Sequence, residues 1–351
     1  MGVIRTFEGH TNSVKCVAVL PDGNFVSGSF DKTLRLWNTN TGEIIRTFEH
    51  TFFVNSVAVL PDGNFVSGPY YKSARLWNAN TGNIIRTFQG HTDSVTYLAV
   101  LTDGNFISTS NDDTFRIWNT NTGDTIQTFA RHEHDVTCIA VLPNGNFVSG
   151  SLDGTLRLWN TNTGEIIRIF EGHTDYVTCV AVLPDGNFVS GSFDTTLRLW
   201  NTNTGTTMRT IEGHRNHVNC VAVLPDGNIV SGSSDRTLRV WNTNTGETIE
   251  IFEGHTNAVS CVAVLPDGKF VSGSLDTTLR LWNIVQPTSE NYSRKKDALE
   301  ELRTLPPMGM FPGGIAFQEA KKQFQNTQNM LRNTKRSRKQ LKKGRKTRKR
   351  K

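Results

Sequence analysis

The sequence predicts an all-β ring followed by a basic tail, on three observations. Tryptophan falls at 37, 77, 118, 159, 200, 241 and 282, a spacing of 40 once and 41 five times, so one unit is written seven times. The runs between turn signals, such as "VKCVAVL", "NFVSGS" and "TLRLW", are short and rich in β-branched residues, which is strand chemistry. The chain opens on "GVIRTFEGH", matching "GEIIRTFEGH" at the end of the first unit, and leaves the pattern at "NIVQPTSE" after Trp282.

Taken in order, each unit holds four strands. "VKCVAVL" is the first, "PDG" a tight hairpin turn, "NFVSGS" the second, "TLRLW" the third, "NTNTG" another turn and "EIIRTF" the fourth. Short turns joining four strands make an antiparallel meander and leave no room for a helix. A period of 40 to 45 residues marks a stacked or circular repeat whose units bury their faces on their neighbours. The last unit lacks a fourth strand, and residues 3 to 7 can supply it. The prediction is a seven-bladed β-propeller over 1–285, closed by the N-terminal strand pairing with the last blade, which removes open sheet edges. A basic, partly helical or disordered C-terminal tail occupies 286–351.

Four residue types recur in register. A His lies 27 residues before each Trp, a Ser ten before it and, in six copies, an Asp six before it. The complete sets are His10, Ser27, Asp31, Trp37; His91, Ser108, Asp112, Trp118; His132, Ser149, Asp153, Trp159; His173, Ser190, Asp194, Trp200; His214, Ser231, Asp235, Trp241; and His255, Ser272, Asp276, Trp282. Gly-His, an Asp in a tight turn and a Trp dipeptide at a period of about 41 resemble the WD40 family. One departure is that the family's Trp-Asp is Trp-Asn in all seven copies; Asn keeps the size and turn preference of Asp. The resemblance implies a buried hydrogen-bond chain in each blade, indole to Ser to His to Asp, each link satisfying a polar group costly to bury unpaired. Because the set recurs once per blade, it reads as blade fabric: no catalytic residue, metal site or cofactor is expected. Arg two residues before each Trp is fabric for the same reason.

The five cysteines, Cys16, Cys138, Cys179, Cys220 and Cys261, share one position of the first strand in five blades. No CxxC spacing exists, and cysteines a blade apart are too distant for a disulfide, so they read as small buried residues in a reducing compartment.

Differences between copies carry the functional information. The resemblance places three positions per blade on the top rim: the residue before the turn Asp, and the third and fifth after the His. The partner-binding candidates there are Phe30, Phe53, Tyr70, Tyr71, Leu152, Tyr176, Phe193, His217 and Leu275, large side chains on an otherwise polar rim. The fifth-position set is Lys15, Asn55, Thr96, Thr137, Thr178, Asn219 and Ser260. The second copy is the outlier: it lacks the Gly before His50, gains Phe52 and Phe53, and has Pro69-Tyr70-Tyr71 where the first copy has Ser-Phe-Asp. Without the Asp, His50 loses its acceptor unless the Tyr71 hydroxyl or water replaces it.

The net charge of +6 hides an asymmetry: residues 286–351 hold 19 Lys+Arg against 5 Asp+Glu, +14, and the rest 19 against 27, −8. Lys335, Arg336, Arg338, Lys339, Lys342, Lys343, Arg345, Lys346, Arg348, Lys349, Arg350 and Lys351 make a run suited to targeting or to salt-sensitive, non-specific nucleic-acid contact. With no apolar run near 18 residues and no signal-peptide pattern at the N-terminus, the protein is expected to be intracellular and off the membrane, with a nuclear or nucleolar address from the tail and the cytoplasm as the alternative. The expected function is a non-enzymatic protein-protein interaction scaffold, a monomeric propeller within a complex, binding a protein or peptide on its top face. The alternatives are a ubiquitin-system adaptor or ubiquitin-binding propeller, and an RNA-associated assembly factor held by the tail. Asn40, Asn80 and Asn121 stand where the family's ligase receptors typically carry Arg, which counts against an adaptor.

Overall fold

The computed structural model describes residues 2–130 and 132–284, so the tail positions named above lie outside the described residues. Blade 1 consists of strands Val14–Val19, Phe25–Ser29, Thr33–Trp37 and Ile44–Glu49, paired antiparallel in chain order. The same meander repeats over 54–89, 95–130, 136–170, 177–211 and 218–252. Between the first two strands Leu20 N–H bonds Asn24 O at 2.8 Å and Gly23, at φ 84°, turns back to Leu20 O at 3.0 Å; "PDG" is the predicted hairpin.

The seventh sheet is completed by the chain's beginning. Strand Val3–Phe7 pairs with Leu279–Trp282 in the order Val3↔Trp282, Arg5↔Leu281, Thr6↔Arg280, Phe7↔Leu279. Blade 1 pairs Trp37↔Ile44, Leu36↔Arg46, Arg35↔Thr47 and Leu34↔Phe48 with the same irregularity after the Trp. The closing strand therefore occupies the register of a covalently attached fourth strand and covers the edge that Leu279–Trp282 would otherwise expose.

The core is not inside a blade but between blades. One cluster joins Leu34, Leu36 and Phe48 of blade 1 to Val54, Phe65 and Trp77 of blade 2, and another joins Phe7 and Leu279 to Val14, Phe25 and Trp37 across the seam. Phe48 meets Trp77 at 5.5 Å and Phe7 meets Trp37 at 5.7 Å, both edge-on, the arrangement favoured by the aromatic quadrupole. The second strand, FVSGS in most blades, is buried along its whole length. Its glycine is required by close packing: a Cβ on Gly28 would lie 2.6 Å from both Cys16 Sγ and Val54 Cγ1.

Blade 3 changes both partners of that contact. Thr109 stands at the glycine position and Tyr97 at the cysteine position, and Tyr97 packs instead among the clusters of the neighbouring blades. The five thiols are all free and buried, and burial pushes Cys138 and Cys261 up to about 12, so they are protonated packing groups and not nucleophiles. At the end of the inner strands where the hairpin turns lie, Val19, Leu20, Pro21 and their counterparts line an open funnel of about 920 Å³.

Phe7, 1 % exposed, makes closure testable. Phe7→Ala is expected to cost about 3–5 kcal/mol, as Phe48→Ala should inside blade 1. A urea-unfolding loss well under 1 kcal/mol for Phe7→Ala alone would show that the first strand does not close the ring.

Candidate protein-binding surface

The turns at the opposite end of the blades are built around the buried indole. In blade 1, Trp37 Nε1–H donates to Ser27 Oγ at 2.8 Å, Ser27 Oγ lies 2.7 Å from His10 Nε2, and His10 Nδ1 lies 2.7 Å from Asp31 Oδ2. The direction of each link follows from the two ends: an indole can only donate and an ionised carboxylate can only accept, so the imidazole proton is on Nδ1 and His Nε2 accepts the serine hydroxyl proton. The predicted chain is formed in all six complete sets, with Trp–Ser at 2.7 to 2.8 Å, His–Ser at 2.6 to 2.8 Å and His–Asp at 2.7 to 2.9 Å.

The carboxylate at the end of the chain is saturated. Asp31 also accepts from Thr11 N at 3.1 Å, Thr33 N at 2.9 Å and Thr33 Oγ1 at 2.7 Å. Burial works against ionisation of these aspartates, but the His and Thr donors outweigh it and hold Asp112 at about 2 and Asp31 lower still. The turn following the Asp is strained: Lys32, Asp113, Thr195, Arg236 and Thr277 take φ of 67° to 73° and Gly154 80°, a left-handed conformation that L-residues adopt at a cost. The carboxylate bonds hold that conformation in place.

Blade 2 keeps half of this arrangement. Trp77 Nε1–H donates to Ser67 at 2.8 Å, and Ser67 lies 2.8 Å from His50 Nε2. Tyr71, in the Asp position, turns outward and stacks on Phe52 with centroids 4.6 Å apart and planes 5° from parallel. Its hydroxyl does not replace the carboxylate, and among the described residues nothing accepts from His50 Nδ1. Burial, then the Arg75 guanidinium, push His50 down to about 3, so it is neutral. Lys72 is not among the left-handed residues, whereas Lys32 at the same position of blade 1 is. The turn instead closes through Tyr71 N–H to Pro69 O at 2.6 Å, and Val95 of blade 3 donates to Tyr71 O at 3.0 Å.

The rim candidates separate into groups. Phe30 of blade 1 meets Phe53 of blade 2 at 5.1 Å, Lys15 Nζ lies 5.1 Å from the Phe30 ring, and Tyr70 N–H bonds Phe53 O at 2.7 Å. With the Phe52–Tyr71 pair these residues form one aromatic surface in which Phe52, Phe53, Tyr70 and Tyr71 are 39 to 50 % exposed. Blades 5 and 6 carry a second group, with Tyr176 exposed and Phe193 and His217 half-buried: Tyr176 lies 5.6 Å from Phe193, and His217 stacks on Phe193 at 4.0 Å while bonding its carbonyl through Nδ1 at 2.9 Å. Leu152 and Leu275 are half-buried on their own turns.

At the fifth position after the His, four side chains reach into the next blade. Thr137 bonds Val177 O and Ser260 bonds Val14 O, each at 2.5 Å, Asn219 bonds Val259 O at 2.8 Å, and Thr178 does the same to Val218 O. These half-buried side chains staple one blade to the next. Phe52 is the rim residue that the positional rule misses; the shortened loop before His50 was its only signal. Among the described residues no three His, Cys, Asp or Glu converge as a metal site requires.

Comparison with known proteins agrees with this geometry. The sequence profile described as "WD domain, G-beta repeat" matches residues 1–38, 42–78, 82–119, 123–160, 164–201, 205–242 and 246–283. The chain is 46 % identical over 43 residues to a probable E3 ubiquitin ligase complex SCF subunit, sconB, of Emericella nidulans, and 50 % identical over 44 residues to a ribosome biogenesis protein BOP1 homolog of Drosophila willistoni. Each likeness covers 12 % of this chain and 6 % of the curated relative. The crystal structure of the WD40 β-propeller domain of Doa1 is similar with a TM-score of 0.74 at 28 % identity, over 82 % of this chain and 98 % of that one.

Two outcomes test the reading of blade 2. Tyr71→Asp is expected to stabilise the protein by roughly 1–3 kcal/mol, because a carboxylate there gains charge-assisted hydrogen bonds of the kind made in the six complete blades; a thermal or urea midpoint at or below wild type would contradict it. The gain should also grow on acidification from pH 7 to about 5. The folded-state value of His50 lies below that of the unfolded chain, so its stability contribution is complete above the ordinary value of 6.5 and is lost as pH falls toward about 3. A carboxylate beside His50 raises its folded-state value and reduces that loss, so a gain independent of pH over this window would count against the assignment.

Proposed function

The chain belongs to the WD40 family, and from that premise we propose that it is a non-enzymatic scaffold that binds a protein or peptide on the turn-bearing face of blades 1 and 2. The observation that carries this reading is the exposed aromatic surface of Phe52, Phe53, Tyr70 and Tyr71, which continues onto Phe30. Aromatic side chains offer large contact area with few rotatable bonds, and Tyr is over-represented where interfaces are most sensitive to mutation. Blade 2 is also where the repeat gives up its own polar closure, which supports recognition over drift. The one-blade likenesses to an SCF subunit and to a ribosome biogenesis protein follow the repeat unit itself and favour neither assembly. The basic run at 332–351 is proposed to serve as an address or a polyanion contact, separate from the rim.

Affinity capture with the full chain, comparing wild type with Phe53→Ala/Tyr70→Ala and with Tyr176→Ala/Phe193→Ala, tests this. The first double variant should lose a salt-resistant partner by tenfold or more, and the second should retain it. If the first variant captures that protein like wild type, and all capture disappears with salt, the polyanion-binding reading replaces this one.

A further inference from the structure

In six blades a carboxylate occupies one fixed seat. Its donors are the His Nδ1–H, the amide and hydroxyl of the Thr two residues beyond the Asp and, in five of the six, the amide of the residue after the His. Blade 2 retains matching groups in His50 Nδ1, Thr51 N–H and the Ser73 hydroxyl, and among the described residues these have no acceptor. His50 is only 7 % exposed. Trp77 donates to Ser67 Oγ, which lies 2.8 Å from His50 Nε2; with Nε2 accepting the serine proton, as in the six complete blades, the imidazole proton is on Nδ1. His50 Nδ1, without a partner among the described residues and not closed off from solvent, thus faces a position that holds an anion everywhere else in the ring. The side chain that takes the Asp position has left it: Tyr71 lies against Phe52 on the exposed surface.

We infer that blade 2 is a carboxylate socket, in which an Asp or Glu side chain of a protein partner accepts from His50 Nδ1–H and Thr51 N–H and completes the seventh tetrad from outside. This deepens the proposed function, since the acidic residue would arrive flanked by groups that pack on Phe52, Phe53 and Tyr70. A seat shaped in six copies for a planar carboxylate selects the carboxylate over the isosteric amide, because Asn presents one acceptor oxygen and an amino group that clashes with the donors. In Tyr71→Asp the chain fills its own seat, so the inference distinguishes that variant from every rim mutation.

The test uses the full chain and two blocked tripeptides, acetyl-Phe-Asp-Phe-amide and acetyl-Phe-Asn-Phe-amide, with affinity read by titration and the His50 imidazole nitrogens followed by NMR. The Asp peptide should bind about tenfold tighter or more, on the scale of a charge-assisted hydrogen bond, and should move the His50 Nδ1 resonance. That preference should vanish in Tyr71→Asp and shrink in Ser73→Ala, with the weaker Asn-peptide affinity unchanged in Ser73→Ala. Equal affinities for the two peptides, no binding of either, or a preference surviving in Tyr71→Asp would overturn the socket. If sodium acetate, at matched ionic strength, moves His50 while neither peptide binds, the socket accepts a free carboxylate and the assignment to a partner side chain is overturned. Equal peptide affinities together with partner loss in Phe53→Ala/Tyr70→Ala would remove the socket and leave the binding rim standing.

Discussion

Burying an indole N–H obliges each blade to supply a serine, the serine obliges it to supply a histidine, and the histidine proton then needs a carboxylate. Trp37 is 1 % exposed and its partners Ser27 and His10 are 0 and 5 % exposed, so no link can rely on bulk water. The last link reaches the surface and does a second job there. Asp31 gathers four donors from two turns and holds Lys32 in a left-handed conformation. Packing between blades depends on the same frame, since each indole is also the surface on which the preceding blade lays its fourth-strand aromatic or aliphatic residue.

Blade 2 shows what the frame can lose. The indole, serine and first histidine bond survive, so the buried part of the chain is intact. What is missing is the surface link, and with it the left-handed turn; a Pro69 carbonyl and an amide from blade 3 take over its backbone bonding. The ring tolerates this because blade 2 still shares packed interfaces with both neighbours. Stability surrendered at a surface turn while four exposed aromatic side chains gather around it is the pattern of a site in which local rules yield to recognition.

Architecture was largely legible because it repeats. Tryptophan spacing located the blades, and the mismatch between the two chain ends located the closing strand, whose register, Phe7 opposite Leu279, the structure supplies. The hydrogen-bond chain was legible as a resemblance carried by fixed spacing. Contacts between blades were not: that Thr137 and Ser260 reach a neighbouring carbonyl depends on how two sheets stack, and linear spacing does not encode that distance. The exchange at Tyr97 and Thr109 was likewise hidden, since it matters only because the glycine it replaces touches a thiol. Absence of the Asp in blade 2 was plain, but the outward turn of Tyr71 onto Phe52 followed from the unstrained loop and not from its composition.

His50 differs from the six histidines that end on a carboxylate in having no acceptor at Nδ1 among the described residues. Solvent exchange of the seven imidazole Nδ1–H protons, read by nitrogen-edited NMR on the unliganded protein, measures that difference directly. Six protons should exchange slowly and resonate far downfield, as charge-assisted donors to a carboxylate do, while the His50 proton exchanges rapidly. A His50 proton as protected as the other six would mean that its acceptor is already in place, and blade 2 would be an ordinary blade.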